Sequence, residues 1–381
     1  MTTTPAPLPA LPDRVDLLVV GAGIVGLAHA LEAVDRGLSV LVVDRDDRAV
    51  GASVRNFGHG CFTAQDGVAL DHALVARDRW LRLAKETDLG LRESGTVVVA
   101  RADDERQVLA DLAAARDGDV LLLDARAVHA RVPGLGSDVV GGAHLPLDVR
   151  VDQRRAVGAL AALLAQRPRA AVRWSTAAHT FDPDGDGVQV TTSRGVVAAG
   201  RVVVAVGHDV DRHFPHVASA HGLRRCALHM LEVDGPGEVE PAVLTGTSLL
   251  RYAGFAVSPA LGAVRARLAA REPALLDADV NLMLTQRPGG TLTLGDTHAY
   301  ATTHDPFGAE QLDDLLLDQA GRLLGGTRPR VRARWRGVYA SAPEPFLVAE
   351  PLPGVHVVSV TSGIGMTTAL GLAPAALDAH L

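Results

Sequence analysis

Lysine is almost missing from this chain: Lys85 is the only one among 381 residues, so the other basic side chains are arginines. Cysteine is scarce too. Cys61 and Cys226 lie far apart with no CxxC or metal-ligand spacing, which excludes a disulfide framework and a cysteine-based metal site. They read as reduced, buried thiols that pack as small hydrophobes. Positive charge is not in excess, since 37 Lys and Arg against 44 Asp and Glu give a net charge of -7. A chain of that balance has no basic surplus to neutralise a phosphate backbone or an anionic membrane, so nucleic acid is not an expected partner. No run reaches the roughly 18 uninterrupted apolar residues that a spanning helix needs. The opening "MTTTPAPLPALPD" lacks both a charged start and an apolar stretch, so residues 1–13 are expected to be a Pro-rich disordered tail rather than a signal peptide. The expected location is the cytoplasm.

What is present in quantity is apolar side chain, 48% of the residues, enough for a large core or two. The first organised stretch is "VDLLVVGAGIVGLAHALEAVDRGLSVLVVD", residues 15–44. A short β-branched run, Val15 to Val20, predicts a buried parallel strand that feeds directly into Gly21, Gly23 and Gly26. Leu27, Ala30, Leu31 and Val34 keep helical spacing until Gly37, and a second apolar strand, Ser39 to Val43, ends on Asp44. Each glycine has a task in such a βαβ unit. Gly21 makes the tight turn, Gly23 lets the backbone approach a pyrophosphate, and Gly26 lets helix and strand pack closely; the helix N-terminus then faces the phosphates. Asp44 is placed to accept hydrogen bonds from a ribose. The motif predicts a dinucleotide, and by itself does not separate FAD from NAD.

The loop after Asp44, "RDDRAVGASVRNFGHGCFTAQDG", is rich in Gly, Ser, Asn and Arg instead of continuing the strand and helix alternation. Ser53, Arg55 and Asn56, with the backbone at Gly58, are candidates to hold the pyrophosphate or ribityl chain of a longer cofactor. "TTSRGVVAAGRVVVAVGHDV" places two β-rich stretches around a turn and ends the second on Gly207. Near the C-terminus a strand, Val355 to Val360, a glycine loop through Gly363 and Gly365, and an Ala-rich helix from about Met366 form a second candidate anion site. Between these, residues 151–166 carry helical apolar spacing, and "DPDGDGVQVTTSRG" reads as a hairpin with a solvated acidic turn, since the glutamate of a calcium loop is absent.

On "GAGIVGLAHA", "GASVRNFG", "VVVAVG" before His208, "GDTHAY", "WRGVYAS" and "SGIGMTTALGLA", the chain from Val15 onward resembles the FAD-dependent oxidoreductases of the D-amino-acid oxidase, glycine oxidase and sarcosine oxidase superfamily. "SVRNFG" and "CALHML" resemble more narrowly a subgroup associated with aminophosphonate breakdown. The resemblance implies an α/β chain, α+β overall: a Rossmann-like FAD-binding domain with an inserted mixed-sheet substrate domain. The FAD-binding domain is expected over 14–85, 150–215 and 328–381, and the substrate domain over 86–149 and 216–327. Noncovalent FAD is expected on Gly21, Ala22, Gly23, Ile24, Val25, Gly26, Asp44 and Arg45, on Ser53, Arg55, Asn56 and Gly58, and on Ala178, Gly207, Gly363, Ile364, Gly365, Met366 and Thr367. Family members often have an aromatic at the position of His208 and a valine at that of Ala178.

The implied reaction is hydride transfer from a carbon bearing nitrogen to the flavin, giving an imine that water hydrolyses, so the protein's part is orientation and electrostatics and no Ser/His/Asp triad is required. An anionic end of the substrate calls for an arginine fork; Arg336 is the candidate, with Arg332 and Arg334 alternating beside it. His59 and His298 are candidates to take an ammonium proton. Tyr252, Tyr300 and Tyr339 are the only tyrosines; Tyr252 and Tyr339 are the expected substrate contacts. No metal ligand set is expected. Some relatives use a lysine near the flavin to promote reaction with oxygen, and Lys85 lies in a helical stretch that reads as a solvated face, so the acceptor is oxygen or another oxidant. The expected substrate is a small anionic amine, an aminophosphonate such as 2-aminoethylphosphonate or its N-methylated form, or an amino acid. A 2-hydroxy-acid dehydrogenase on the same fold and a flavin-binding protein without turnover are the alternatives.

Overall fold

The computed structural model describes residues 9–380. Residues 1–8 of the expected tail lie outside the described residues, whereas 9–13 run along the sheet. There the Ala10 carbonyl accepts from Arg173, and the Asp13 carbonyl accepts from the Ala198 amide.

Five strands form a parallel sheet in the order Ala170–Arg173, Val40–Val43, Arg14–Val20, Gly195–Val204, Val355–Ser362. Their near-continuous Val and Leu content follows from burial on both faces. Helices Ile24–Asp35, Gly67–Ala84, Gln153–Ala165 and Gly365–His380 cover one face with an aliphatic core. The hairpin of Ala178–Asp184 and Gly187–Thr192 and the segment around Phe214 close the other.

The remaining strands form a mostly antiparallel array, from Leu121–Asp124 through Gly141–Leu145, Thr96–Ala100, Ala242–Leu244, Met283–Gln286 and Leu292–Gly295 to Arg224–Val233. The two regions share one hydrogen-bonded sheet because Val331–Leu352 runs on for 22 residues. Its first half pairs with Arg224–Val233 and its second half with Val355–Ser362. The fold is therefore mixed α/β around one large mixed sheet. No helix among the described residues is long and apolar enough to cross a membrane.

This topology fixes where a site can form. The glycine turn after Arg14–Val20, Asp44 after Val40–Val43, Gly207 after Gly195–Val204 and Gly363 after Val355–Ser362 all stand at the carboxyl ends of adjacent parallel strands, where open α/β sheets bind ligands.

Candidate active site

The cofactor end is built from backbone constraints. Gly21 has φ +104°, and a Cβ there would lie 2.5 Å from the Ala205 carbonyl oxygen, so only glycine passes. Helix Ile24–Asp35 begins at Gly23, which has no side chain to cap it; Ser53 Oγ does so from the next loop, accepting from the Ile24 amide at 3.0 Å. One arm of the Asp44 carboxylate accepts from the Ala22 amide at 2.7 Å and the other from the Asp46 amide at 3.0 Å. Burial raises the Asp44 pKa. Gly207 has φ +60° with open space where a side chain would stand. Gly23, Gly207, Gly363 and the helix N-terminus at Gly365 thus stand together at the strand ends, where the expected pyrophosphate and flavin would be held.

The other expected cofactor residues are placed less uniformly. Asn56 spends its amide inside its own loop, donating to Ala52 O and accepting from the Gly58 amide. Arg55 turns to the carbonyl of Arg336 at 3.5 Å, and Arg45 pairs with Asp209 at 2.7 Å. Asp209 also holds Arg225 at 3.0 Å, so the strand ends near Asp44 are tied to the start of Arg224–Val233. Ala178 is buried in the core under its hairpin. Thr367 Oγ1 accepts from the Cys61 amide, which ties the C-terminal helix to the "GASVRNFGHG" loop.

A polar cluster lies beside these glycines. The Tyr339 ring covers Gly363: a Cβ on that glycine would stand 2.9 Å from the ring. Arg251 donates to the Tyr339 hydroxyl at 2.5 Å and to the Tyr300 hydroxyl at 2.8 Å. Tyr300 in turn donates to Asp279 at 2.9 Å. Burial raises the Tyr300 pKa to about 12 and that of Tyr339 well above 10, so both hydroxyls keep their protons. The His298 ring stands edge-on to Tyr339 at 6.5 Å, with Asp296 3.7 Å from its Nε2. Gly295, one residue before Asp296, faces Phe57 of the cofactor loop. The cluster therefore sits between the two glycine loops.

Of the expected substrate residues, His298 and Tyr339 come together here, with Tyr252 beside them, its hydroxyl turned to the Met283 sulfur at 3.5 Å. Arg336 does not join them. It lies three residues from Tyr339 on an extended strand, so its side chain leaves the opposite face, and the carbonyls of Asp305 and Phe307 take up its guanidinium. His59 heads a separate buried chain: its Nε2 lies 2.6 Å from Thr96 Oγ1, which donates to Asp148 at 2.7 Å. His59, Cys61 and Asp148 offer donor atoms within 4.8 Å of one another. The Asp148 oxygens, however, already accept from the amides of Phe62 and Thr63 and the hydroxyls of Thr63 and Thr96. Burial keeps both cysteines as thiols, Cys226 being pushed up to about 11. Lys85 is an exposed C-cap residue of Gly67–Ala84.

Arg251, Asp296 and Asp279 escaped the sequence reading. Arg251 and Asp279 lie outside the quoted motifs, Asp296 lies inside "GDTHAY" but was given no role there, and only the fold brings Arg251 to Tyr339, 88 residues away.

Comparison with known proteins gives the family. The family described as FAD dependent oxidoreductase (DAO) matches residues 16–378. An opine oxidase component of Agrobacterium tumefaciens (strain Ach5) is 26% identical over 298 residues, 70% of this chain and 80% of that protein. Its counterpart from Rhizobium meliloti is 29% identical over 221 residues; the match spans 54% of this chain and only 59% of that relative. The crystal structure of glycine oxidase from Geobacillus kaustophilus has a similar fold, with TM-score 0.76 at 21% identity over 96% of this chain and 94% of that one. The chain belongs to the DAO family of FAD-dependent oxidoreductases.

Proposed function

We propose that this protein oxidises a C–N bond of a small anionic amine, with an aminophosphonate such as 2-aminoethylphosphonate or its N-methylated form, or an amino acid, as substrate. The observation that carries this reading is Arg251, a partly buried cation held by two tyrosine hydroxyls beside the Gly363 loop, with the half-exposed Asp279 carboxylate 3.5 Å away. A guanidinium so held is pre-oriented, and its remaining N–H groups, with the Tyr339 hydroxyl, offer donors to the oxygens of a carboxylate or phosphonate. The anion contact expected of Arg336 is accordingly assigned to Arg251.

Bound FAD supplies the acceptor for the hydride leaving the carbon next to nitrogen. The chain's own residues bind and orient. Arg251 and Tyr339 hold the anion, and Tyr339, lying against Gly363, sets the distance from that anion to the flavin loop. The iminium product leaves to water, giving a carbonyl and free amine. The electrons then pass to oxygen or another acceptor. Glycine, named in the similar crystal structure, is an amine that carries a carboxylate.

Incubating the holoprotein with 2-aminoethylphosphonate, its N-methyl form, amino acids and 2-hydroxy acids, and assaying carbonyl and released amine, tests the reading. Equal yields of carbonyl and amine are expected. Turnover of hydroxy acids alone would move the reaction to C–OH oxidation.

A further inference from the structure

Asp296 is a buried carboxylate, 4% exposed, that the cofactor glycines and the Arg251 anchor do not account for. Its backbone is pinned from both sides, its amide donating to the Asn281 carbonyl and its carbonyl accepting from the Asn281 amide, each at 2.8 Å. Its Oδ1 has no hydrogen-bond partner among the described residues, a costly state for a buried oxygen. Its Oδ2 faces His298 Nε2 at 3.7 Å, beyond hydrogen-bond reach.

Hydrogen-bond direction fixes the imidazole. The Asp279 carbonyl can only accept, so His298 Nδ1, at 2.7 Å from it, must carry the hydrogen. In the neutral ring Nε2 is then a lone pair pointed at a carboxylate. Two acceptors face each other, and one added proton placed between them replaces that repulsion with an attraction. The other charged or titratable groups around Asp296 are Arg251, Tyr252, Cys226 and Tyr339. Arg251 is the cation among them, and the Asp279 carboxylate beyond it, 3.5 Å from its Nη1, is the further charged group of the cluster; the anionic end of the substrate adds to Asp279 in offsetting Arg251.

We infer that the Asp296–His298 pair is the acceptor of the substrate's ammonium proton, which enters between Asp296 Oδ2 and His298 Nε2. This rests on the proposed amine oxidation at Arg251. A protonated amine has no free electron pair to push out a hydride, so the proton must leave first. In that step the N–H bond breaks, nitrogen keeps the electron pair, and the proton joins the pair, where it bridges Asp296 and His298. The hydride then departs from the neighbouring carbon and leaves an iminium. Buried carboxylates beside a second titratable group are a common arrangement for moving protons.

The test is the pH dependence of the limiting rate of anaerobic flavin bleaching, measured on the wild-type holoprotein with two N-alkylated substrates of the same acid, one made less basic by fluorination. If the pair takes the proton, the bend in the profile stays at one pH for both substrates. A bend that moves with the basicity of the amine means that the proton is lost to water, and overturns the inference. His298→Gln and Asp296→Asn, checked for bound FAD by their visible spectra, are expected to lose that bend. Their rates should rise tenfold per pH unit towards the pKa of the amine, with the weakly basic substrate largely restored. Variants that keep the wild-type profile at a uniformly lower rate would also overturn it. If no amine bleaches the wild type, the amine reading itself fails; normal bleaching with a substrate-dependent bend removes only the proton acceptor.

Discussion

Arg251 and Arg336 are the residues on which the substrate end turns, and they separate cleanly in the fold. Arg336 is taken up by two loop carbonyls at short range, whereas Arg251 is held by two tyrosine hydroxyls, with its carboxylate neighbour Asp279 at 3.5 Å. A charge-assisted hydrogen bond contributes about 1.5–3 kcal/mol, so Arg251→Met should raise KM for an anionic amine by about ten- to a hundred-fold with FAD still bound. Arg336→Met should change KM by less than about three-fold, because it meets only the loop. Steady-state kinetics on the two variants checks both. A second prediction concerns acid. His29 is fully buried with Nδ1 on the Val25 carbonyl, and burial lowers its pKa from 6.5 to about 4. The unfolded chain takes up this proton below pH 6.5 and the folded chain only near 4. The stability that His29 contributes is therefore complete above pH 6.5 and is lost as pH falls from 6.5 towards 4, by up to about 3 kcal/mol. Urea titrations at pH 7.5 and 5 should show that loss, and His29→Leu should reduce it.

The elements that carry the cofactor site are glycine turns, and their predictions are steric. Gly58 has φ +67°, and a Cβ would overlap the Val151 carbonyl, whose strand neighbours the loop. Gly58→Ala should therefore shift "GASVRNFGHG", costing about 1–3 kcal/mol of stability and weakening FAD retention, as read by flavin released on gel filtration. Ser53→Ala removes the side chain that caps Ile24–Asp35 from outside the helix and should cost about 1 kcal/mol in thermal unfolding. These elements were legible in the sequence because their signals are local. The strand, glycine turn, helix and second strand occur in order within 30 residues, and the observed Arg14–Val20, Ile24–Asp35 and Val40–Val43 follow that pattern. The C-terminal strand, glycine loop and helix were legible for the same reason. The substrate cluster was legible only in part, through His298, Tyr252 and Tyr339. In "RARWRGVYAS" alternation puts Arg336 and Tyr339 on opposite faces, but which face meets the flavin loop depends on the register with Arg224–Val233 and on the loop around Asp305 and Phe307. Arg251 reaches Tyr339 across 88 residues, a separation that no periodicity reports.

At the scale of the whole molecule, the 22-residue strand Val331–Leu352 joins the parallel strands and the antiparallel array in one sheet. FAD bound at the strand ends, as expected, should stabilise the entire chain: at a hundred-fold excess over Kd the gain is about 2.7 kcal/mol, and removing the flavin should lower Tm in one cooperative step. The central claim, that this sheet brings an anionic amine to bound FAD, is tested most directly by anaerobic titration of the purified holoprotein with N-methylated aminophosphonates, amino acids and hydroxy acids while the visible flavin band is followed. The account predicts stoichiometric bleaching by one of the amines, abolished or strongly weakened in Arg251→Met. A protein without a flavin band, or one bleached by hydroxy acids alone, would contradict it.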